Sequence, residues 1–200
     1  MKILITNDDG INAKGINILS NCIKECFKQN DVTIKVVAPS TEMSAVSQKL
    51  SLREGLTIEK RQDIVDGIES YAVEGTPCDC VKVAYNHLNY IPDIVFSGIN
   101  NGYNVGNDIL YSGTLAATFE ARLYGCKAVA FSCKYNSEIK KDNIIQTLEY
   151  IYENKLVEVE RKDLVAGYVG QTASKTAEVI EKAMGGVLFI DEAYTLAQDN

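Results

Sequence analysis

Two adjacent carboxylates, Asp8 and Asp9, carry the plainest chemistry in this 200-residue chain. Neighbouring acids repel, and a fold tolerates the pair when something positive sits between or near them. A hard divalent cation, Mg²⁺ or Mn²⁺, suits that place because both prefer oxygen ligands. A solvated Asp-Gly turn is the other reading, since Asp8-Asp9-Gly10 is also good turn sequence. Further oxygen donors follow. Ser44 lies in the polar stretch 40–48, STEMSAVSQ. The stretch 97–108, SGINNGYNVGND, holds three glycines and four asparagines. Glycines let backbone N–H groups approach an anion, and asparagine amides act as neutral ligands for metal or phosphate. Ser112-Gly113-Thr114 opens a helical pattern. It would present hydroxyls, unpaired N–H groups and the positive end of a helix dipole to an anion. A simple N-cap hydroxyl is the alternative there.

Histidine is informative by its scarcity. His87 is the single histidine, in VAYNHL toward the end of a helical pattern. Histidine-nucleophile phosphatases, His-Asp metal hydrolases and Ser-His-Asp triads all need an imidazole in the site. Hydrolysis in this chain is therefore expected to run on oxygen ligands and a metal, with His87 structural. The six cysteines, at 22, 26, 78, 80, 126 and 133, form no CxxC framework and are expected as reduced buried thiols of a cytoplasmic protein. The formal net charge of −7 argues against nucleic acid as partner, because phosphate backbones select basic surfaces. No apolar stretch is long enough to span a bilayer, so no membrane is expected.

The elements that must position these groups follow from periodicity. Ile3, Leu4 and Ile5 read as a buried parallel strand ending at Asp8. Residues 12–28 read as a helix with Ile16, Leu19, Ile23 and Phe27 on one face, and 32–38 as a second strand closed by Pro39. That is a βαβ unit of a parallel sheet. The Ser44 loop then shares the carboxyl-end rim with Asp8 and Asp9, where open α/β sheets bind ligands. Residues 50–70 read as a strand-rich excursion or hairpin. Residues 78–88 read as a helix, 93–96 as a core strand ending before Ser97, and 127–132 as a further strand. The helix opened by Ser112 is expected to bury Leu115, Phe119 and Leu123, and 139–152 to form an amphipathic helix. Paired acids, a serine loop, a glycine- and asparagine-rich loop and an anion-binding helix start on one rim suit phosphomonoester hydrolysis.

The motifs NDDG, VVAPSTEMSAVS, YAVEGTPCDCVKVA, DIVFSGINNGYNVGNDILYSGTLAATFEA and GCKAVAFS resemble, in order, the SurE family of metal-dependent 5′-nucleotidases. The resemblance covers residues 1–153. It implies a three-layer α/β/α Rossmann-like, mostly parallel sheet, and hydrolysis of nucleoside 5′-monophosphates. It implies one divalent cation (Mg²⁺ or Mn²⁺) on Asp8, Asp9, Ser44 and Asn100, with Asp8 and Asp9 catalytic and Ser112, Gly113 and Thr114 holding the phosphate. It also implies a homodimer or homotetramer.

Residues 154–200 depart from that pattern and resemble a fragment of AAA+ ATPases of the CbxX and stage V sporulation protein K type. Residues 187–192, VLFIDE, look like a Walker B strand, and Gly167-Tyr168-Val169-Gly170 like a pore loop. No Walker A accompanies them, because Lys175-Thr176 follows Ser174 rather than glycine. The expected organisation is a C-terminally shortened SurE-like body with a short fragmentary α/β tail. The alternatives are an inactive truncated fusion and an ATPase-derived module, the latter opposed by the missing phosphate cradle. The tail is expected to be less firmly held than the body.

Overall fold

In the computed structural model of the chain, the described residues are 1–28, 31–53, 55–152, 157–159 and 188–190. They fall into two compact units, 1–141 and 142–200.

The first unit is built on a six-stranded sheet. Its strands are β1 (Lys2–Thr6), β2 (Thr33–Pro39), β3 (Ile58–Arg61), β4 (Glu69–Val73), β5 (Ile94–Asn101) and β6 (Lys127–Cys133), in the order β3-β4-β2-β1-β5-β6. Every pairing is parallel except β3 with β4, which is the hairpin expected in 50–70. The chain winds outward from β1 to β2 on one side, then returns to place β5 on the other. The reversal leaves a crevice beyond the carboxyl ends of β1 and β5, the switch point at which α/β sheets bind ligands.

Helices cover both faces. Helix α1 (Lys14–Cys26) turns Ile16, Leu19 and Ile23 inward at three- and four-residue steps, all fully buried, and packs on β1 and β5. Helix α2 (Pro77–Lys82) and helix α3 (Gly113–Leu123) pack on each other, α2 over β1 and β2, α3 over β5 and β6. Leu4, Val37, Val73 and Val95 form one core with residues of α2 and α3. Ile3 and Ile5 alternate to the opposite face, as strand pleating requires. Each fully buried Ile, Leu or Val contributes roughly 1.5–3 kcal/mol.

Helix α2 begins at a capping box. The Thr76 hydroxyl accepts from the Asp79 N–H, and Asp79 accepts from the Thr76 N–H at 2.9 Å. Asp79 also accepts from the Ser51 hydroxyl at 2.8 Å, so this buried carboxylate is fully engaged in local structure. The helix runs on into a π-helical turn, Val83–His87.

Two expectations need correction. Strand β5 does not stop before Ser97 but continues to Asn101. After an irregularity between Ser97 and Asn100, Asn100 and Asn101 pair with Ser132 and Cys133 of β6. Helix α3 does not bury Phe119 and Leu123, which are 43% and 81% exposed. Leu115 is only half-buried, and the buried residues are Gly113, Thr114, Ala116, Ala117, Thr118, Glu120 and Ala121, mostly small ones that bring the helix close to the sheet.

In the second unit, α4 (Lys141–Tyr152) is the expected amphipathic helix. Strands β7 (Val157–Val159) and β8 (Leu188–Ile190) pair in parallel as a two-stranded sheet. The apolar run of the Walker-B-like segment thus has a partner in the tail itself. The acids Asp191 and Glu192 and the pore-loop-like 167–170 lie outside the described residues.

Candidate active site

Strand β1 ends in a turn that Gly10 makes geometrically accessible. Its φ of +93° is a backbone state that side chains disfavour, and a Cβ there would lie 3.1 Å from the Thr41 backbone. The Asn7 side-chain amide donates to the Gly10 carbonyl at 2.8 Å and closes the turn. Asp8 and Asp9 are thereby held at the mouth of the crevice.

Asp8 is almost fully buried, at 5% exposure. Its carboxylate accepts the Thr114 hydroxyl at 2.5 Å. Gly113 abuts it so closely that a Cβ would lie 2.8 Å from the Asp8 Cβ. Burial pushes the Asp8 carboxyl above its ordinary range; the Thr114 hydroxyl opposes the shift and the Asp9 charge adds to it. Burial also raises Asp9, which the Asn101 N–H donating at 3.3 Å opposes and the Glu42 charge reinforces.

The loop after β2 is pinned against this turn. Met43 N–H donates to the Asp8 carbonyl at 2.7 Å, Ile11 N–H to Pro39 at 2.8 Å, and Ser47 N–H to Tyr111 at 3.0 Å. Ser44 is carried on it, with its hydroxyl donating to Glu42 Oε1 at 2.7 Å. Asn100, on the last part of β5, donates its Nδ2 to the Gly102 carbonyl at 2.9 Å. That bond occupies the Nδ2 end, so the amide oxygen is the end that could ligate a cation.

Asp8, Asp9, Ser44, Asn100 and Ser112 all line one cavity of about 530 Å³. Residues from separate loops, spread from position 8 to position 112, therefore meet. Gly113 and Thr114 stand behind the cavity wall, against Asp8. The Thr114 hydroxyl is committed to Asp8, and the Ser112 hydroxyl accepts the Leu115 N–H at 3.2 Å as the N-cap of α3. What this segment still offers an anion is the Ser112 hydroxyl proton and the N–H groups of the first helical turn.

The cavity is also lined by residues that sequence reading did not single out: Glu42, Asp108 and the rings of Tyr103, Tyr111 and Tyr135. Glu42 was detectable only as an acid two positions before Ser44. Tyr135 follows β6, and nothing in its local sequence points to the site. His87 is not among the lining residues, and it is exposed at the end of the π-helical turn.

The donor set suits a hard cation. Among the described residues, no lysine or arginine forms an ion pair with Asp8, Asp9 or Glu42. Among the same described residues, no group of three or more His, Cys, Asp or Glu side chains is gathered closely enough to hold a metal by itself. A cation at this place would be met by two carboxylates with a hydroxyl and an amide oxygen, a ligand set that matches Mg²⁺ or Mn²⁺.

The comparison with known proteins then decides the family. The family model described as Survival protein SurE matches residues 3–183. The chain belongs to the SurE family. It is 40% identical over 184 residues to the 5′-nucleotidase SurE of Thermoanaerobacter sp. (strain X514), covering 87% of this chain and 71% of that one. It is 44% identical over 139 residues to the 5′-nucleotidase SurE of Methanocaldococcus jannaschii, covering 69% of this chain and 51% of that one. The crystal structure of the SurE protein from Aquifex aeolicus superposes with a TM-score of 0.63 at 34% identity, covering 77% of this chain and 59% of that chain. The sheet described above is thus the SurE α/β fold. Against most of these relatives the chain spans between half and three-fifths of their length. The family match also bears on the tail. Its span runs on to residue 183, and nothing in these comparisons supports the AAA+ resemblance. No helix among the described residues is long and apolar enough to cross a membrane.

Proposed function

We propose that this SurE-family chain is a phosphoric monoester hydrolase that releases phosphate from nucleoside 5′-monophosphates with one divalent cation. The observation that carries the reading is the meeting of Asp8, Asp9, Ser44 and Asn100 on one cavity without a lysine or arginine paired to the acids. The 5′-nucleotidase names of its relatives supply the substrate class.

Asp8 and Asp9 would hold the cation, with Ser44 and the Asn100 amide oxygen completing its protein ligands. The chemistry supplied by bound Mg²⁺ or Mn²⁺ is polarisation of the phosphoryl oxygens and a lowered pKa for an attacking water. Thr114 fixes the Asp8 carboxylate through its hydroxyl, and the Asn101 N–H does the same for Asp9. The first turn of α3, with its free N–H groups and dipole, faces the phosphate. A cavity of about 530 Å³ exceeds what phosphate alone fills. The rings of Tyr103, Tyr111 and Tyr135, each more than half exposed, offer apolar surface for a nucleoside. A homodimer or homotetramer and a cytoplasmic setting complete the proposal and rest on the family resemblance.

The test is phosphate release from AMP and GMP. Activity is expected with Mn²⁺ or Mg²⁺ and none after EDTA; release unaffected by EDTA would sink the metal-dependent reading. His87→Ala is expected to retain activity within about twofold, since an exposed side chain away from the site changes little. Loss of turnover in folded His87→Ala protein would show that an imidazole takes part after all.

A further inference from the structure

Ser44 poses a question that the ligand set alone does not answer. A serine hydroxyl carries one proton and two lone pairs, and it ligates a cation only when the proton points elsewhere. Glu42 supplies the acceptor. Its Oε1 takes the Ser44 proton at 2.7 Å, and both residues line the cavity. Their placement is imposed by the backbone. Glu42 and Ser44 flank Met43, whose N–H is fixed to the Asp8 carbonyl. Gly10 lets the Thr41–Glu42 peptide lie directly on the Asp8–Asp9 turn, within 3.3 Å of where a Cβ would be. Glu42 itself does not close up with Asp8 and Asp9 into a three-acid metal cluster. Its geometry is that of an outer partner orienting a ligand.

Resting on the divalent-cation reading of the site, we propose that Glu42 is the positioning residue of Ser44: it holds the hydroxyl proton away from the cavity so that the oxygen's lone pairs face the cation. Glu42 acts on the cation through Ser44, and its effect depends on that hydroxyl.

The test is calorimetric titration of Mn²⁺ into the EDTA-stripped full chain, with no turnover involved. Glu42→Ala is expected to weaken Mn²⁺ binding about 10-fold, the lower end of the range for outer-partner mutations. Glu42→Gln is expected to stay within about threefold of the parent, because an amide oxygen accepts the same proton and an exposed charge contributes little. In a Ser44→Ala background, Glu42→Ala should add less than about twofold, since the two residues act as one unit. Equal weakening by Ala and Gln would overturn the proposal in favour of a charge effect. Equal weakening with and without Ser44 would overturn it in favour of an independent ligand, and an unchanged Glu42→Ala would remove any role. Asp9→Asn separates the two levels. Weak binding there beside an unchanged Glu42→Ala defeats the Glu42 proposal alone. Parent-like binding in Asp9→Asn defeats the cation reading, and the Glu42 proposal with it.

Discussion

Asp8→Asn is expected to lower phosphate release from AMP by roughly 10³-fold, on the scale of the several kcal/mol that metal-assisted charge stabilisation supplies. The substitution keeps the shape of the side chain, and the Asn oxygen can still accept the Thr114 hydroxyl. It removes a full negative charge from the centre of the donor set. The same change should not lower the melting temperature measured in EDTA. Asp8 is 5% exposed, and burial works against its charged form. Without a cation, a neutral amide is the easier group to bury. Activity and stability therefore part company, which a folding defect would not produce. Retention of more than about a tenth of parental activity, still stimulated by Mn²⁺, would remove Asp8 from the ligand set.

Gly15→Ala is expected to destabilise the chain by roughly 3 kcal/mol, the upper part of the usual range for overpacking. Gly15 lies in the first turn of α1, and a Cβ there would sit 2.1 Å from the Ile99 carbonyl oxygen. A Cβ is fixed by its own backbone and its partner is a backbone oxygen, so no rotamer change relieves the contact. Alanine gains about 1 kcal/mol in helix propensity over glycine, too little to offset the clash. Helix α1 must lift from β5 at the residue preceding Asn100. For a chain of this size the melting temperature should fall by about 6–12 °C. A thermal melt decides it, and a melting temperature at or above the parent's would show that α1 can shift without cost.

Much of this was legible because local pattern and tertiary demand agree. The Ile16, Leu19 and Ile23 spacing fits a helix buried on one face, and Ile3 to Ile5 fits a strand covered on both faces. The NDDG turn announces itself through adjacent acids and a glycine whose φ is positive. What was not legible depends on partners distant in sequence. Asn100 reads as loop because glycine and asparagine surround it, yet pairing with β6 keeps it on a strand. The inward face of α3 was misjudged because the largest apolar residues were taken as the buried ones. Close approach to Asp8 instead favours Gly113 and Thr114 at the start of the helix, and alanines follow on its buried side. Glu42 and Tyr135 enter the cavity through loop geometry, which no periodicity records. In the tail, the Walker-B-like string 187–192 lies beyond the span 3–183 of the family match.

The crossing of the chain from β2 back to β5 has a consequence for the protein as it is being made. Asp9 and the Asn101 N–H that holds it are 92 positions apart. At 5–20 residues per second, roughly 5–18 s of synthesis separate them. Throughout that interval the two aspartates are hydrated, and nothing opposes their charge. Asp9 is held when β5 docks beside β1, the same event that brings Asn100 to the cavity, and Asp8 is covered when α3 then sets Gly113 and Thr114 against it. On the divalent-cation proposal, a nascent chain therefore has neither the need for a cation nor the means to keep one until β5 and α3 are in place.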